Sequence, residues 1–315
     1  MPKISVILSA YNAEKFIAQS IESVLNQKFK DFEFLIVEDH STDNTLQIIE
    51  SYASKDSRIN LVKKEKNKGF EGYVENLNLM IDQARGKYIA KFDADDIWSV
   101  DKLEKQLMDI ENHPDIFLLS ANAYRIDENG NRIGEVVYPT DWEETKKMIL
   151  HTNPFCHPAI LFRNEGYKYR QKMYYAEDYD LYLRMFSDGK KLMHRSDFLF
   201  EYRILENSLS RGNKSLIQAL FKEKTIDFYH QRIEFGEDEY AKFQPLDYLE
   251  ILNPNYKNTK EDLKRALKFA FISNWKEEYK LLLNKAIDFY GKKEFLNFWM
   301  IRNFYNFSQQ VYKRL

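Results

Sequence analysis

Short apolar segments alternate with helical patterns along the first third of the chain. Ile4–Ser9, Phe32–Val37, Ile59–Val62 and Tyr88–Phe92 are apolar runs of strand length, rich in β-branched and aromatic residues. Between them, apolar residues recur three and four positions apart, as in helices with one buried face. This alternation favours an α/β fold with a mostly parallel sheet covered by helices.

The pattern changes in the second half of the chain. The segment "IFLLSANAYRIDENGNRIGEVV" predicts two strands around an Asn129-Gly130 turn, and "DFLFEYRI" predicts a later strand. After Arg211, apolar residues follow helical spacing, first around Leu263 and then from Trp275 onward. We therefore predict an α/β domain over residues 1–210 and a helical C-terminal region over residues 211–315.

Composition limits the classes of partner. The chain has 315 residues, 44% of them hydrophobic and 30% charged, with a net charge of −2. This balance gives no general attraction for nucleic acid, and we expect no nucleic-acid partner. Cys156 is the single cysteine, so an internal disulfide is excluded and a reducing compartment is expected. The apolar run at the N-terminus is too short for a signal sequence, so we expect a cytoplasmic protein.

Three acidic residues, Asp93, Asp95 and Asp96, directly follow the fourth strand. Like charges about 5 Å apart repel by roughly 3 kcal/mol at an effective dielectric constant near 20. A Mg²⁺ or Mn²⁺ ion would relieve this repulsion, since such ions bind one or two carboxylates together with substrate phosphates. The alternative is a solvated acidic turn before a helix that begins near Ser99.

The strand ends are predicted to form one cleft. The segments "SAYN", "EDHSTD" and "DADD" follow three strands, and ligands of parallel sheets bind beyond the carboxyl ends of the strands. Neither G-x-G-x-x-G nor G-x-x-x-x-G-K-[ST] occurs, which disfavours dehydrogenases and P-loop enzymes.

The order of these motifs resembles glycosyltransferase family 2, whose members have the Rossmann-like GT-A fold. The matching segments are "ISVILSAYNAEKFIAQSIESVLNQKFKDFEFLIVEDHSTDNT", "NKG", "ARGKYIAKFDADD" and "AEDYDLYLRM". Each segment alone is weak evidence for the family, but together the segments cover roughly residues 3–210 in the family's order. The region 211–315 carries no motif of the family.

The resemblance implies roles for residues at the nucleotide end of the cleft. Ser9 and Tyr11 match positions that line the nucleotide pocket, and Asn67 matches another contact there. Asp39 matches the acid that reads the nucleobase, usually uracil N3–H, for which an ionised carboxylate is a suitable acceptor. An isolated Asp before Ser-Thr-Asp more often forms an N-cap or an Asx turn. Glu38 stands where many members have Asp.

Residues Asp93-Ala94-Asp95 match the family's DxD motif. The resemblance implies that Asp93 contacts the ribose and that Asp95 binds a Mn²⁺ or Mg²⁺ ion. Asp96 is expected to be a further metal ligand or a support for one.

Asp178, within "EDYD", matches the family's catalytic base, and Glu177 is its substitute. A carboxylate suffices, because the sugar hydroxyl becomes acidic only as the new bond forms. One base opposite the leaving group implies a single displacement with inversion. The alternative for Asp178 is an acid that stabilises the start of a helix.

Other candidates lie on the acceptor and phosphate sides. His157 resembles part of the acceptor-side strand, although a lone His is more often structural. Arg203 and Ser208 resemble the segment that closes over the diphosphate, where an Arg would bind phosphate; the structural alternative is an ordinary edge-strand Arg. Leu205 stands where the family often has His, and "YVEN" replaces the usual Ala-Arg-Asn after "NKG".

The sequence therefore predicts an inverting, metal-dependent hexosyl- or N-acetylhexosaminyltransferase. We expect a UDP-sugar donor and a glycan or lipid-linked acceptor in bacterial surface polysaccharide synthesis. The alternatives are a nucleotidyltransferase, which would need a Gly- and Lys/Arg-rich loop after the first strand, and a non-catalytic nucleotide-sugar-binding protein.

The C-terminal stretch 286–315 has five basic and two acidic residues, interleaved with nine aromatic residues. This composition suits peripheral contact of the C-terminal helices with the anionic inner face of the cytoplasmic membrane. The alternative is that the aromatic residues pack within the helical region or in a homodimer interface.

Overall fold

The computed structural model describes residues 1–205 and 215–303. The chain forms two compact units. The α/β unit comprises Met1–Gln171 and Glu177–Ser208, and the helical unit comprises Lys172–Ala176 and Leu209–Leu315.

Within the described residues, the α/β unit contains one sheet of nine strands and six α-helices. The strands are β1 (Ile4–Ala10), β2 (Phe32–Glu38), β3 (Ile59–Lys63), β4 (Tyr88–Phe92), β5 (Ile97–Trp98), β6 (Ile116–Ile126), β7 (Arg132–Val136), β8 (Leu161–Arg163) and β9 (Lys191–Arg203). The helices are α1 (Ile17–Leu25), α2 (Thr45–Ala53), α3 (Gly69–Gln83), α4 (Lys102–Asn112), α5 (Trp142–Ile149) and α6 (Glu177–Ser187).

The sheet has a parallel half that carries the site. The strand order is β3-β2-β1-β4-β8-β6-β9-β5, with β7 paired to β6. Strands β3, β2, β1 and β4 are all parallel, and the register pairs Ala10 with Glu38 and Leu8 with Phe92. Their carboxyl ends therefore lie at one edge of the sheet. This confirms the predicted α/β fold with a mostly parallel sheet flanked by helices.

The other half of the sheet mixes antiparallel and parallel strand pairs, which the apolar pattern alone does not indicate. Strand β8 is antiparallel to both β4 and β6, and β9 runs parallel to β6. The two-residue strand β5 pairs with β9 directly after the acidic segment, so helix α4 begins at Lys102 rather than near Ser99. The Asn129-Gly130 turn between β6 and β7 is confirmed.

A buried polar network ties the strands together at the opposite end of the sheet. Ser5 Oγ donates to Glu33 Oε1 (2.7 Å) and accepts from Gly86 N (2.8 Å). Arg85 closes the network, because its backbone N and its Nε donate to the two oxygens of Glu33, each at 2.8 Å. Strands β1 and β2 and the entry to β4 are therefore fixed in register by paired polar groups.

The described part of the helical unit contains five α-helices: α7 (Ser215–Phe235), α8 (Leu246–Leu249), α9 (Lys260–Ile272), α10 (Lys276–Tyr290) and α11 (Leu296–Asn303). Its core includes the aromatic residues Phe221, Phe228, Tyr279 and Phe295. No helix among residues 1–205 and 215–303 is long and apolar enough to cross a membrane.

The aromatic residues near the C-terminus pack inward where the structure describes them. Phe295 is fully buried, and Tyr290, Phe298 and Trp299 pack against the same core. This favours internal packing for that part of the stretch. Phe304 and the later residues of the stretch lie outside the described residues.

Gly86→Ala should destabilise the α/β unit by about 1–3 kcal/mol, the usual cost of overpacking. A Cβ at Gly86 would lie 2.5 Å from Ser5 N and 2.7 Å from Ile4 C, which are backbone atoms of β1. The measurement is the urea midpoint of unfolding. Gln83→Ala, at an exposed position of α3, is the control and should change stability by less than about 0.5 kcal/mol. Equal midpoints for the two variants would contradict the close approach.

Candidate active site

The nucleotide end of the cleft is built from the ends of β1 and β2. Asp39 N donates to Ala10 O (2.9 Å), so the two strand ends remain joined beyond the sheet. Asn12 and His40 follow with positive φ angles of 47° and 60°, which turn the chain sharply. Tyr11, 48% exposed, is therefore presented at the open edge.

Asp39 is buried, with 3% of its surface exposed. Asn67 Nδ2 donates to Asp39 Oδ2 at 2.7 Å, and Asn76 Nδ2 donates to Ser9 Oγ at 3.2 Å. Burial raises the pKa of Asp39. The structure thus brings together three of the predicted nucleotide-side residues, Ser9, Asp39 and Asn67.

Glu38 has a local structural role. It is buried, and its Oε1 accepts a hydrogen bond from Ser41 N at 2.7 Å. This bond stabilises the turn that leads to α2.

Hydrogen bonds from Arg203 and Ser20 hold the acidic loop after β4. Asp96 is buried and its Oδ1 accepts from Arg203 N (2.8 Å), while Asp96 Oδ2 has no partner among the described residues. Ser20 Oγ donates to the carbonyls of Ala94 (2.9 Å) and Asp96 (2.8 Å). The loop therefore presents Asp93 and Asp95 at a partly exposed position and keeps Asp96 underneath.

Arg203 is part of this support. Its side chain is buried; Nε donates to Asp95 O (2.8 Å) and Nη1 donates to Asp127 O (3.0 Å). Its guanidinium also lies 4.5 Å from the ring centroid of Phe16. This geometry favours the structural alternative for Arg203, and its contact with a diphosphate stays a prediction. Ser208 lies outside the described residues.

Burial and mutual repulsion raise the pKa values of the loop carboxyls. Burial is the main cause for Asp95, whose pKa rises to about 6, and the neighbouring Asp93 adds to it. The pKa of Asp96 is raised further, first by burial and then by Asp95 and Asp93. A cation bound beside the loop would therefore favour the ionised, negatively charged forms of Asp95 and Asp96.

This charge fits a divalent cation. Within residues 1–205 and 215–303, no group of three or more His, Cys, Asp or Glu side chains is arranged to hold a metal. However, no other described side chain donates a hydrogen bond to the Asp95 carboxylate. A Mg²⁺ or Mn²⁺ ion typically needs only one or two carboxylates when substrate phosphates complete its coordination. Asp95, with Asp96 beneath it, is suited to such a site.

The candidate base lies at the start of α6. Asp178 is partly exposed; its Oδ2 accepts from Asn153 Nδ2 (2.7 Å) and its Oδ1 accepts from Tyr179 N (2.6 Å). Glu177 is 8% exposed, and its pKa rises to about 8, mainly because it is buried and next because Asp178 is adjacent. The more accessible Asp178 is thus the better placed proton acceptor.

The orientation of α6 is fixed by a buried ion pair. Asp180, one turn into the helix, is paired with Arg170 (2.5 Å) and Arg184 (3.0 Å). Burial is the main cause of the raised pKa of Tyr73 on α3, and the charges of Asp93, Glu177 and Asp178 add to it. Tyr73 is therefore within the electrostatic influence of both the acidic loop after β4 and the candidate base.

His157 is held in place by a tyrosine. Its Nε2 lies 2.7 Å from Tyr169 OH. Burial, followed by the charge of Lys91, lowers the pKa of His157 well below its usual value. The imidazole is therefore neutral, as in a structural His, and its acceptor-side role stays a prediction.

Lys91 is a residue of the candidate site that the sequence motifs do not indicate. This lysine lies inside the apolar strand β4, is 1% exposed, and forms an ion pair with Asp93 Oδ1. A charged residue within a strand that is otherwise apolar was the available signal, since a buried lysine almost always has a partner.

Comparison with known sequences gives consistent results. The sequence profile described as "Glycosyl transferase family 2" matches residues 5–169. An uncharacterized glycosyltransferase of Methanocaldococcus jannaschii is 38% identical over 71% of this chain and 79% of the relative. The Escherichia coli enzyme WfaP, named UDP-Glc:alpha-D-GlcNAc-diphosphoundecaprenol beta-1,3-glucosyltransferase, is 34% identical over 74% of this chain and 90% of its own length.

Solved structures share the fold. Residues 1–349 of Staphylococcus aureus TarS, in complex with UDP-GlcNAc, match with a TM-score of 0.64 and 20% identity, covering 98% of this chain and 92% of that one. A longer TarS chain is matched over 49% of its length.

The Pyrobaculum calidifontis mannosyltransferase PcManGT, in complex with GDP-Man and Mn²⁺, matches with a TM-score of 0.53 and 14% identity over 91% of this chain and 86% of that one. The profile match covers the parallel half of the sheet, the acidic loop after β4 and β8. This chain therefore belongs to glycosyltransferase family 2 and is a glycosyltransferase with the GT-A fold.

Proposed function

We propose that the protein is an inverting, metal-dependent glycosyltransferase that moves a sugar from a UDP-sugar to a lipid-linked or glycan acceptor. One observation carries the proposal: the buried acid Asp39 and the partly exposed acid Asp95 follow the two parallel strands that flank β1, at the same edge of the sheet. The partly exposed Asp178, at the start of α6, acts electrostatically on Tyr73 together with Asp93, which supports a place for Asp178 in the same cleft.

The proposed roles are nucleobase binding, metal binding and proton acceptance, each carried by different residues of the cleft. Asp39 accepts a hydrogen bond from the uracil, and Asn67 holds its Oδ2 in place. Asp95 and Asp96 would hold a Mn²⁺ or Mg²⁺ ion, which supplies counter-charge for the departing diphosphate. Asp178 accepts the proton of the acceptor hydroxyl as that oxygen attacks the anomeric carbon opposite the leaving group. The product therefore has the inverted configuration.

The relatives support the substrate class. WfaP is named for transfer of glucose from UDP-Glc to a diphosphoundecaprenol-linked sugar, and the TarS structure holds UDP-GlcNAc. A UDP-hexose or UDP-N-acetylhexosamine donor and a lipid-linked bacterial acceptor are therefore the first substrates to test. The Mn²⁺ in the mannosyltransferase complex makes Mn²⁺ the first cation to test.

We also propose that the protein works at the inner face of the cytoplasmic membrane, through its C-terminal helices. A lipid-linked acceptor resides there, and the stretch 286–315 has an excess of basic residues. Lys293 is exposed on the helical unit, where an anionic lipid headgroup can approach it. A homodimer is the competing use of this region.

Asp95→Ala should abolish the metal-dependent part of UDP binding, because the diphosphate loses its bound counter-charge. Calorimetric titration of UDP with and without Mn²⁺ measures this. Asp39→Asn is the matched comparison: it should weaken UDP binding similarly with and without Mn²⁺. An Asp95→Ala protein that retains wild-type affinity for UDP with Mn²⁺ would refute the metal assignment.

Asp178→Asn should lower the rate of sugar transfer by about 10²–10⁴-fold while UDP affinity stays unchanged, because only the proton acceptor is removed. The measurement is turnover with a UDP-sugar and a lipid-linked acceptor, beside UDP titration. Glu177→Gln is the comparison and should have the smaller effect. If Glu177→Gln has the larger effect, Glu177 is the base. An α-linked product from an α-linked donor would exclude inversion.

Reversing charge at Lys293, Lys313 and Arg314 by substitution with Glu should reduce co-sedimentation with anionic vesicles by at least about tenfold. Each basic residue near such a surface contributes about 1 kcal/mol. The control variant carries Glu at the exposed Lys28, Lys55 and Lys87 of the α/β unit. Wild-type protein that ignores anionic vesicles at low salt would end the membrane proposal, and a variant of halved solution mass would favour a dimer.

A further inference from the structure

Lys91 is a buried cation in the middle of the candidate site. It lies on β4, in register with Ile7 of β1, and only 1% of its surface is exposed. Its ammonium forms an ion pair with Asp93 Oδ1 and lies 6.0 Å from the ring centroid of Tyr73. A lysine is seldom buried at such cost unless its charge is used.

The surroundings of Lys91 are strongly acidic. Its positive charge acts on Asp95, Asp96 and Glu177 as well as on its partner Asp93. The guanidinium of Arg203 also acts on Asp95, but its described hydrogen bonds go to backbone carbonyls and to Gln19 rather than to a carboxylate of the loop. Lys91 is thus the described side chain whose cation pairs directly with the DxD motif.

The pairing makes the two aspartates of the motif unequal. Asp93 is joined to an ammonium and forms a pair of zero net charge, whereas the Asp95 carboxylate receives no hydrogen bond from another described side chain. A divalent cation is attracted to the carboxylate that lacks a counter-charge. A site with one such carboxylate, supported by Asp96, binds the divalent cation weakly until phosphate oxygens complete the coordination.

We propose that Lys91 is a positioning residue that withholds Asp93 from the metal and leaves Asp95 to bind it, so that the cation binds tightly only with the donor diphosphate. This inference rests on the proposed function, because it assumes that a nucleotide diphosphate occupies the cleft. Asp93 then keeps a fixed orientation for its contact with the ribose.

The proposal predicts a gain of binding when Lys91 is removed. In Lys91→Met, Asp93 lacks its counter-ion and can join Asp95 as a second carboxylate ligand. The affinity for Mn²⁺ without nucleotide should rise by at least about tenfold, and the extra affinity that UDP confers on Mn²⁺ should shrink. Lys91→Arg keeps the charge and should behave like the wild type. A purely structural lysine would give weaker or unchanged Mn²⁺ binding in Lys91→Met.

The test is Mn²⁺ titration by calorimetry, with and without UDP, on the full chain. The double variant Lys91→Met/Asp93→Asn removes both partners and should return Mn²⁺ affinity without UDP to the wild-type level. If Lys91→Met does not fold, Lys91→Gln provides the same removal of charge in a polar side chain.

The possible results separate the two proposals. Wild-type binding of UDP that depends on Mn²⁺, with no gain in Lys91→Met or Lys91→Gln, overturns the role of Lys91 and leaves the proposed function standing. A gain that persists in the double variant also overturns it, since Asp93 is then not the source. Wild-type protein that shows no coupling between Mn²⁺ and UDP overturns both proposals.

Discussion

The concentration of negative charge at the end of β4 is the constraint on which the site depends. Asp93, Asp95 and Asp96 follow the strand at once, and two of them have raised pKa values because burial and repulsion oppose ionisation. Such a loop is stable only if cations and donors surround it. Lys91 supplies charge from within the strand, and Arg203 with Ser20 holds the loop's backbone and buried carboxyl.

The two ends of the parallel sheet differ in how far their buried polar groups are hydrogen-bonded. At the amino end, Ser5, Glu33 and Arg85 satisfy one another in a closed network. At the carboxyl end, the second oxygen of Asp96 has no hydrogen-bond partner among the described residues, and the Asp95 carboxylate receives a hydrogen bond from its own backbone but from no other described side chain. A polar group that folding leaves unsatisfied is one that a ligand can satisfy, so the difference between the ends separates framework from binding surface.

Much of the fold and part of the site could be predicted from the sequence. Strand β4, the parallel alternation and the order of the family motifs follow from local patterns, because hydrophobic period and strand length are local properties. The burial of Lys91 and the use of Arg203 as a support could not be predicted. Both depend on partners that the fold brings together, such as Arg203 and Asp95, which are over a hundred residues apart. Family motifs indicate which residues take part, but not which face each side chain occupies.

The long separation between Arg203 and the loop it supports has a consequence for biosynthesis. Strands β1 to β4 all precede Ile97 and pair with one another in the parallel half of the sheet, so this half can form once Phe92 has left the ribosome. The acidic loop, however, gains its guanidinium and the partner strand of β5 only when β9 has been made. During translation, the nascent chain can therefore carry an assembled parallel half whose acidic segment is held by Lys91 and Ser20 but not yet by Arg203, and the candidate site is completed only when β9 has been made.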